Sequence, residues 1–455
     1  MKIQRLHLKN YRCFDELVLE FDDRLTVFVA ENGSGKTALL DAIAIGLGRY
    51  LTKVPGIEGR ASKETDLRIT DGERRAPFML LAWEARTYDG RGITWYSGRK
   101  RDAAVSAAAI KEQLAPQLVE ILAHGSKRLD DYVLELVRAD AEQRPYFLPV
   151  VAYYGTNRAI RDEVKRRRGF RKRFTRFDAL AGALEPDSRF RAAFEWFNAM
   201  EDEERREREA RRDFSYRHPA LQAVREALER LLPDYRNPRT EIRPLRFVID
   251  KVLPDGRVER TLRVSQLSDG YRVVLGLVMD LARRMVQANA GALPEHLSSR
   301  HPLDLPAIVL IDEVDLHLHP SWQQRIIADL MRTFTDTQFI LTTHSPQVLS
   351  TVRREHIRVI GPDSEGRLTA NVPLAMTYGE PSGDVLHSVM LVDPQPPIAE
   401  KADLQRLTEW VDQGHYDKPE AQDLMARLCQ ALGERHPQLL RLQRSIQRQE
   451  ALRKA

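Results

Sequence analysis

The stretch Ala30-Glu-Asn-Gly-Ser-Gly-Lys-Thr37 combines the residue types that a triphosphate calls for. Backbone N–H groups in a Gly-rich turn can curl around phosphate oxygens, and a helix starting there adds positive potential. Asn32, Gly33, Ser34 and Gly35 supply the turn, and the two glycines let the main chain approach closely. Lys36 is spaced to reach the β- and γ-phosphates of a nucleotide, and Thr37 to set its hydroxyl on Mg2+. Ala30 stands where such loops usually carry their first Gly, a departure of one methyl group.

Three further stretches carry complementary chemistry. Ile308-Val-Leu-Ile-Asp-Glu313 is an apolar run that delivers two acids at its end. Asp312 suits Mg2+ through its water shell, and Glu313 suits a water that attacks phosphorus. Leu341-Thr-Thr-His-Ser-Pro346 ends a third apolar run in His344, an imidazole at reach of a γ-phosphate. Gln266-Leu-Ser-Asp-Gly-Tyr271 opens an apolar helix with Ser268 and Gly270, an anion-binding combination at a helix start. Each has a plainer reading: an acid or Ser ahead of a helix is an ordinary cap, and a lone His is more often structural. The four in this order favour the chemistry.

These residues need elements to position them. Leu25-Thr-Val-Phe-Val29 reads as a buried strand running into the Gly-rich turn, and Ala38–Leu47 as the helix after it. Ile3, Leu6, Leu8 and then Leu17, Leu19, Phe21 alternate as two strands with a turn near Arg12–Glu16. Residues 78–97 suggest a hairpin turning at Asp89-Gly90, residues 103–140 are helical in period, and Phe147–Tyr154 is a strand ending in Gly155-Thr-Asn-Arg158. Strands are expected at 242–264, 307–311 and 339–342, with helices at 273–289 and 321–334. Beyond residue 370 the chain reads as helical, with Leu424, Leu428, Leu432 and Leu439, Leu442, Ile446 spaced for one buried stripe.

Composition bounds the rest. The 455 residues are 42% hydrophobic, enough for a sizeable core, which excludes wholesale disorder. Charged residues reach 30% but the net charge is only +5, so nucleic-acid affinity must be argued from local clusters. One such cluster is 158–177, with ten Lys/Arg against two acids and Phe170, Phe174 and Phe177 between them. It suits phosphate tracking or, equally, a solvated face. The mixed-charge run 201–213 reads as a helix with internal ion pairs. Cys13 and Cys429 form neither a disulfide framework nor a metal knuckle. Without an apolar run of about 18 residues or a leader pattern, no membrane span is expected, and the expected compartment is the cytoplasm.

Together the four motifs resemble the ATP-binding-cassette ATPases: Walker A, signature helix, Walker B with a D-loop at Val314-Asp315, then the switch His344. Asp269 replaces the usual second Gly of the signature. The opening Leu6-His-Leu-Lys-Asn-Tyr-Arg-Cys-Phe14 and the run Asp312-Glu-Val-Asp-Leu-His-Leu-His-Pro320 are similar to the SMC/RecF/OLD group. Ala152-Tyr-Tyr-Gly-Thr-Asn-Arg158 and the EDEERRERE segment resemble the subfamily holding the Septu anti-phage ATPase subunit and its retron-associated relatives. The resemblance spans about residues 1–350.

The resemblance implies an α/β fold: a P-loop NTPase with an ABC-type head, a β-rich N-terminal lobe, a helical lid insertion and a helical C-terminal extension. The expected divisions are 1–157 for the first lobe, 158–240 for a basic and helical insertion, 241–370 for the second lobe and 371–455 for the extension. It also implies ATP hydrolysis with Mg2+ by a homodimer or higher homo-oligomer. Ser268 and Gly270 then act on the other copy's nucleotide, and Asn157 takes the Q-loop position. A separate nuclease subunit and DNA are the implied partners, in anti-phage defence. Residues 38–265 lack the heptads of a full SMC arm, and the region after His344 lacks the acidic cluster of an OLD nuclease. A RecF-like repair ATPase, a slowly hydrolysing nucleotide-gated scaffold and a transporter ATPase are the rival readings.

Overall fold

The alternating residues at the start of the chain form strands β1, Lys2–Tyr11, and β2, Phe14–Glu20. Tyr11 pairs directly with Phe14, so the turn is only Arg12-Cys13, tighter than the expected Arg12–Glu16. Arg12 takes φ +48° to close it. Here a computed structural model describes residues 1–70, 74–102, 105–158, 174–186 and 190–454. The chain continues into β3, Leu25–Val29, which leaves the hairpin for a second sheet. Strands β4, Phe78–Arg86, and β5, Gly92–Lys100, return to the first. The result is a four-stranded antiparallel sheet ordered β2-β1-β4-β5. Trp83 and Trp95 stack across it at 5.8 Å.

The second sheet holds the expected core strands. Its members are β3, β6 (Val150–Tyr154), β10 (Ala307–Ile311), β11 (Thr337–Thr343), β12 (Ile357–Pro362) and β13 (Leu368–Asn371). The order is β13-β12-β3-β11-β10-β6, parallel throughout except for the edge pair β12–β13. β3, β6, β10 and β11 are buried along their whole length, as strands covered on both faces must be. Buried Gln338 joins the two sheets: its amide bonds the backbone N–H and C=O of Ile3 and the carbonyl of Asp22.

Helix α1, Lys36–Thr52, follows β3, and α2, Lys127–Ala141, lies in the region read as helical. Helix α3, Phe190–Arg211, carries the mixed-charge run, where Arg208 pairs with Glu204 at 2.6 Å and Arg211 with Glu207 at 2.8 Å. α4, Pro219–Leu231, leads into a third sheet, β7 (Tyr235–Ile242), β8 (Leu245–Val252) and β9 (Val258–Arg263), ordered β9-β8-β7. α5, Asp269–Ala288, is almost wholly buried after its first turn. The helix expected over 321–334 is interrupted at Gln324-Arg325, giving Pro320–Gln323 and α6, Ile326–Thr333. Residues 159–173 of the basic run lie outside the described residues.

The chain falls into two units, Met1–Met390 and Leu391–Ala455. The second consists of α7 (Lys401–Asp412), α8 (Pro419–Leu432) and α9 (Pro437–Lys454) around their own core. Leu404, Leu407, Leu424, Leu428, Leu439 and Leu442 are buried in it, while Leu432 and Ile446 lie at its margin. Among the described residues no helix is long and apolar enough to cross a membrane.

Candidate active site

Four neighbouring parallel strands end on one edge, and each contributes a motif there. Residue pairing aligns the ends: Val29 of β3 faces Thr343 of β11, and Ile311 of β10 faces Leu341 on one side and Tyr154 of β6 on the other. In open parallel sheets the ligand crevice lies outside these carboxyl ends. The Gly-rich turn follows β3, the acids follow β10, His344 follows β11, and Gly155–Arg158 follows β6.

The phosphate loop is shaped by steric necessity. Gly33 and Gly35 have φ of +83° and +93°, the left-handed region that side chains disfavour. A Cβ on Gly35 would also lie 2.6 Å from Cys13 Sγ and 2.7 Å from Phe14 Cζ. The N-terminal hairpin therefore presses on the loop at Gly35, which must be bare on both counts. Lys36 is buried, and its Nζ donates to the carbonyls of Ala30 at 2.9 Å and Glu31 at 2.8 Å. Burial lowers its pKa, against the pull of Asp312, Glu313 and Asp315. Asn32, Gly33 and Thr37 are exposed, and Ser34 is half-buried.

The carboxylates are set by a short network. Asp312 accepts from Thr37 Oγ1 at 2.8 Å on one oxygen and from Thr342 Oγ1 at 2.6 Å on the other. Thr342 Oγ1 in turn accepts from the Glu313 N–H at 2.7 Å, and its carbonyl accepts from Val314 at 2.9 Å. Glu313 is half-buried at φ +48°. Asp315 accepts from Thr343 Oγ1 at 2.5 Å and from the His344 N–H at 3.3 Å, so the D-loop acid holds the turn carrying half-buried His344. Ser345 caps the short helix after it.

Sequence reading singled out the acids and His344 but not Thr342, whose hydroxyl ties Asp312 to Glu313. It also overlooked Arg158, whose guanidinium donates to the carbonyl of Asp312. A polar residue ahead of the switch His, and a cation after a core strand, were the available clues.

Lys36, Thr37, Asp312, Glu313 and His344 are thus gathered at one edge. Ser268 and Gly270 sit elsewhere, at the start of α5, where Ser268 is exposed and makes no side-chain cap hydrogen bond. Gly270 lies against the segment after the D-loop; a Cβ there would come 2.8 Å from the His317 carbonyl oxygen. Asn157 is exposed, one residue before Arg158.

The donor set fits a magnesium nucleotide. The Thr37 hydroxyl and Asp312 carboxylate are hard oxygen ligands already in contact, of the kind Mg2+ takes in small number beside phosphate and water. Among the described residues no group of three or more His, Cys, Asp or Glu could hold a metal by itself.

Comparison with known proteins agrees with this chemistry. The family described as "AAA domain" matches residues 5–235, and a second AAA-domain family matches 155–350. An Escherichia coli protein named "Retron Ec83 probable ATPase" is 26% identical over an alignment of 522 positions, covering 98% of this chain and 87% of that protein. "Retron Vc95 probable ATPase" of Vibrio cholerae is 42% identical over 28% of this chain and 23% of its own length. "Septu protein PtuA" of Bacillus mycoides is 34% identical over 24% of this chain and 14% of its own. With a family match over half its length and a phosphate loop facing Walker B acids across one sheet edge, the chain belongs to the AAA-domain family of P-loop ATPases and is of the ABC type.

Proposed function

We propose that two copies of this chain close on ATP and Mg2+, and that hydrolysis releases them. The observation that carries this reading is the division of the motifs. The loop at 30–37 meets Asp312 within one chain, through Thr37, whereas the Ser268 hydroxyl is exposed and unused by its own helix. A phosphate ligand for Ser268 and Gly270 is then supplied by a second copy, and theirs by the first.

Within each site the roles follow from position. The backbone N–H groups of 32–37 and Lys36 bind phosphate oxygens. Thr37 and Asp312 would hold Mg2+, which screens the charge of the β- and γ-phosphates. Glu313 would orient the attacking water and accept its proton, and His344, on the turn after β11 at the same edge, would supply an imidazole to the γ-phosphate. Asn157 reads the same phosphate through water from the neighbouring strand end. ATP binding on one side and release on the other makes closure a population shift driven by nucleotide.

The defence-system names of the relatives support a role in anti-phage defence, with a separate nuclease subunit and DNA controlled by the closed state in the cytoplasm. The composite-site reading is tested by mixing two inactive variants, Lys36→Ala and Ser268→Ala. One composite site in the mixed dimer retains both groups, so the mixture regains hydrolysis that neither variant shows alone. A mixture as inactive as its parents contradicts the reading.

A further inference from the structure

Glu313 is held in a backbone conformation that non-glycine residues rarely adopt, φ +48°. Such a residue persists only where its surroundings over-determine it. From β11, Thr342 grips the Glu313 N–H and the Asp312 carboxylate. The carbonyl side of the same turn is gripped by Arg158. One of its guanidinium nitrogens donates to the Gly155 carbonyl at 2.9 Å and the Asp312 carbonyl at 2.5 Å, and the other donates to the Glu313 carbonyl.

Arg158 is anchored for this task. It follows β6, whose Tyr154 is paired with Ile311 and accepts from the Asp312 N–H at 2.8 Å. The Gly155 N–H donates to the Pro186 carbonyl at 2.7 Å, fixing the turn between them. The side chain is only 2% exposed. Burial lowers its pKa to about 10, against the pull of Asp312, Asp315 and Glu313. A buried cation needs hydrogen bonds to persist, and the planar guanidinium reaches the three carbonyls from two nitrogens in a fixed fork, a geometry that the single nitrogen of an ammonium does not reproduce.

We infer that Arg158 is a positioning residue for hydrolysis: it clamps the Asp312–Glu313 turn so that the Glu313 carboxylate is held toward the attacking water, and it takes no part itself in binding ATP. The inference rests on Glu313 acting as the base.

The test compares Arg158→Gln, Arg158→Lys, Glu313→Gln and the Arg158→Gln/Glu313→Gln double variant. ATP turnover is measured per nucleotide-binding site, counted with a fluorescent ATP analogue. Misplacing the base by a fraction of an ångström lowers kcat of Arg158→Gln at least about tenfold, with KM and analogue Kd within about twofold of the parent. Arg158→Lys keeps the charge and recovers part of the rate, and the double variant is no slower than Glu313→Gln. Arg158→Gln with parental kcat per site overturns the inference. If that variant fails to bind the analogue, Arg158→Lys decides: parental kcat overturns the inference, and a reduced kcat at full binding stoichiometry upholds it. Parental turnover in Glu313→Gln instead removes the base itself, whatever Arg158 does.

Discussion

At the scale of single residues, the site is built from contacts that forbid substitution for different reasons. Gly35 fails any replacement twice, through its φ of +93° and through Cys13 and Phe14 at under 3 Å from a Cβ. Gly35→Ala should therefore weaken binding of a fluorescent ATP analogue at least about tenfold, because the loop must shift away from the phosphate path; unchanged affinity would show that the hairpin yields instead. The residues proposed to bind nucleotide are legible in the sequence because their pattern is local: Gly33, Gly35, Lys36 and Thr37 lie within five positions, and Asp312 is next to Glu313. Arg158 and Thr342 were not, since their partners are 154 and 30 residues away along the chain, and only strand pairing makes them neighbours.

At the scale of elements, α5 is organised around a buried ionic cluster. Asp280 accepts from Arg284 at 2.6 Å, Arg283 at 2.8 Å and the Tyr154 hydroxyl at 3.0 Å. Arg284 continues to the Ala179 carbonyl at 2.7 Å, so α5, β6 and the segment at 174–186 share one network. Asp280→Asn leaves two buried guanidinium groups without their counter-charge, and should destabilise by about 3–5 kcal/mol in urea denaturation; a loss under about 1 kcal/mol would contradict the account. Burial pushes the Asp280 pKa up, but Arg284 and Arg283 overcome it and hold the group near about 2, below its ordinary 3.8. The folded-state pKa is depressed, so this stabilisation is complete above about pH 4 and is lost as the pH falls toward 2. A urea midpoint that does not fall across that window in the parent, relative to Asp280→Asn, would contradict it.

Elements with hydrophobic patterning were readable: β3 and β10 are unbroken apolar or Thr-containing runs, and β11 is one from Phe339 onward. β7 was not, because Tyr-Arg-Asn-Pro-Arg-Thr-Glu-Ile buries only Tyr235 and Pro238 and exists through pairing with β8. β12 and the edge strand β13 are short and only partly buried, and their assignment depends on the pairing of β12 with β3 and of β13 with β12.

At the scale of the whole molecule, the sheet order explains why motifs scattered from residue 30 to residue 344 converge. Parallel strands must return through crossovers, so all their carboxyl ends face one edge. The antiparallel sheet then braces that edge through Cys13 and Phe14 against Gly35, and is tied to the opposite end of β11 by the bonds between Gln338 and Ile3. The general architecture follows from the order of motifs, as does the helix start at Ser268; the structure adds that Ser268 is exposed there and makes no cap hydrogen bond.

That placement gives the account its most direct test. Glu313→Gln keeps the phosphate loop, Asp312 and Ser268 while disabling the base, so ATP should hold the closed state. The measurement is molar mass by size-exclusion chromatography with light scattering, with ATP and Mg2+ and again without nucleotide. The account predicts a rise under ATP to at least twice the mass seen for the same variant carrying Ser268→Ala, which should remain at the 52.3 kDa of one chain. A Glu313→Gln protein that binds ATP yet stays at 52.3 kDa would contradict it.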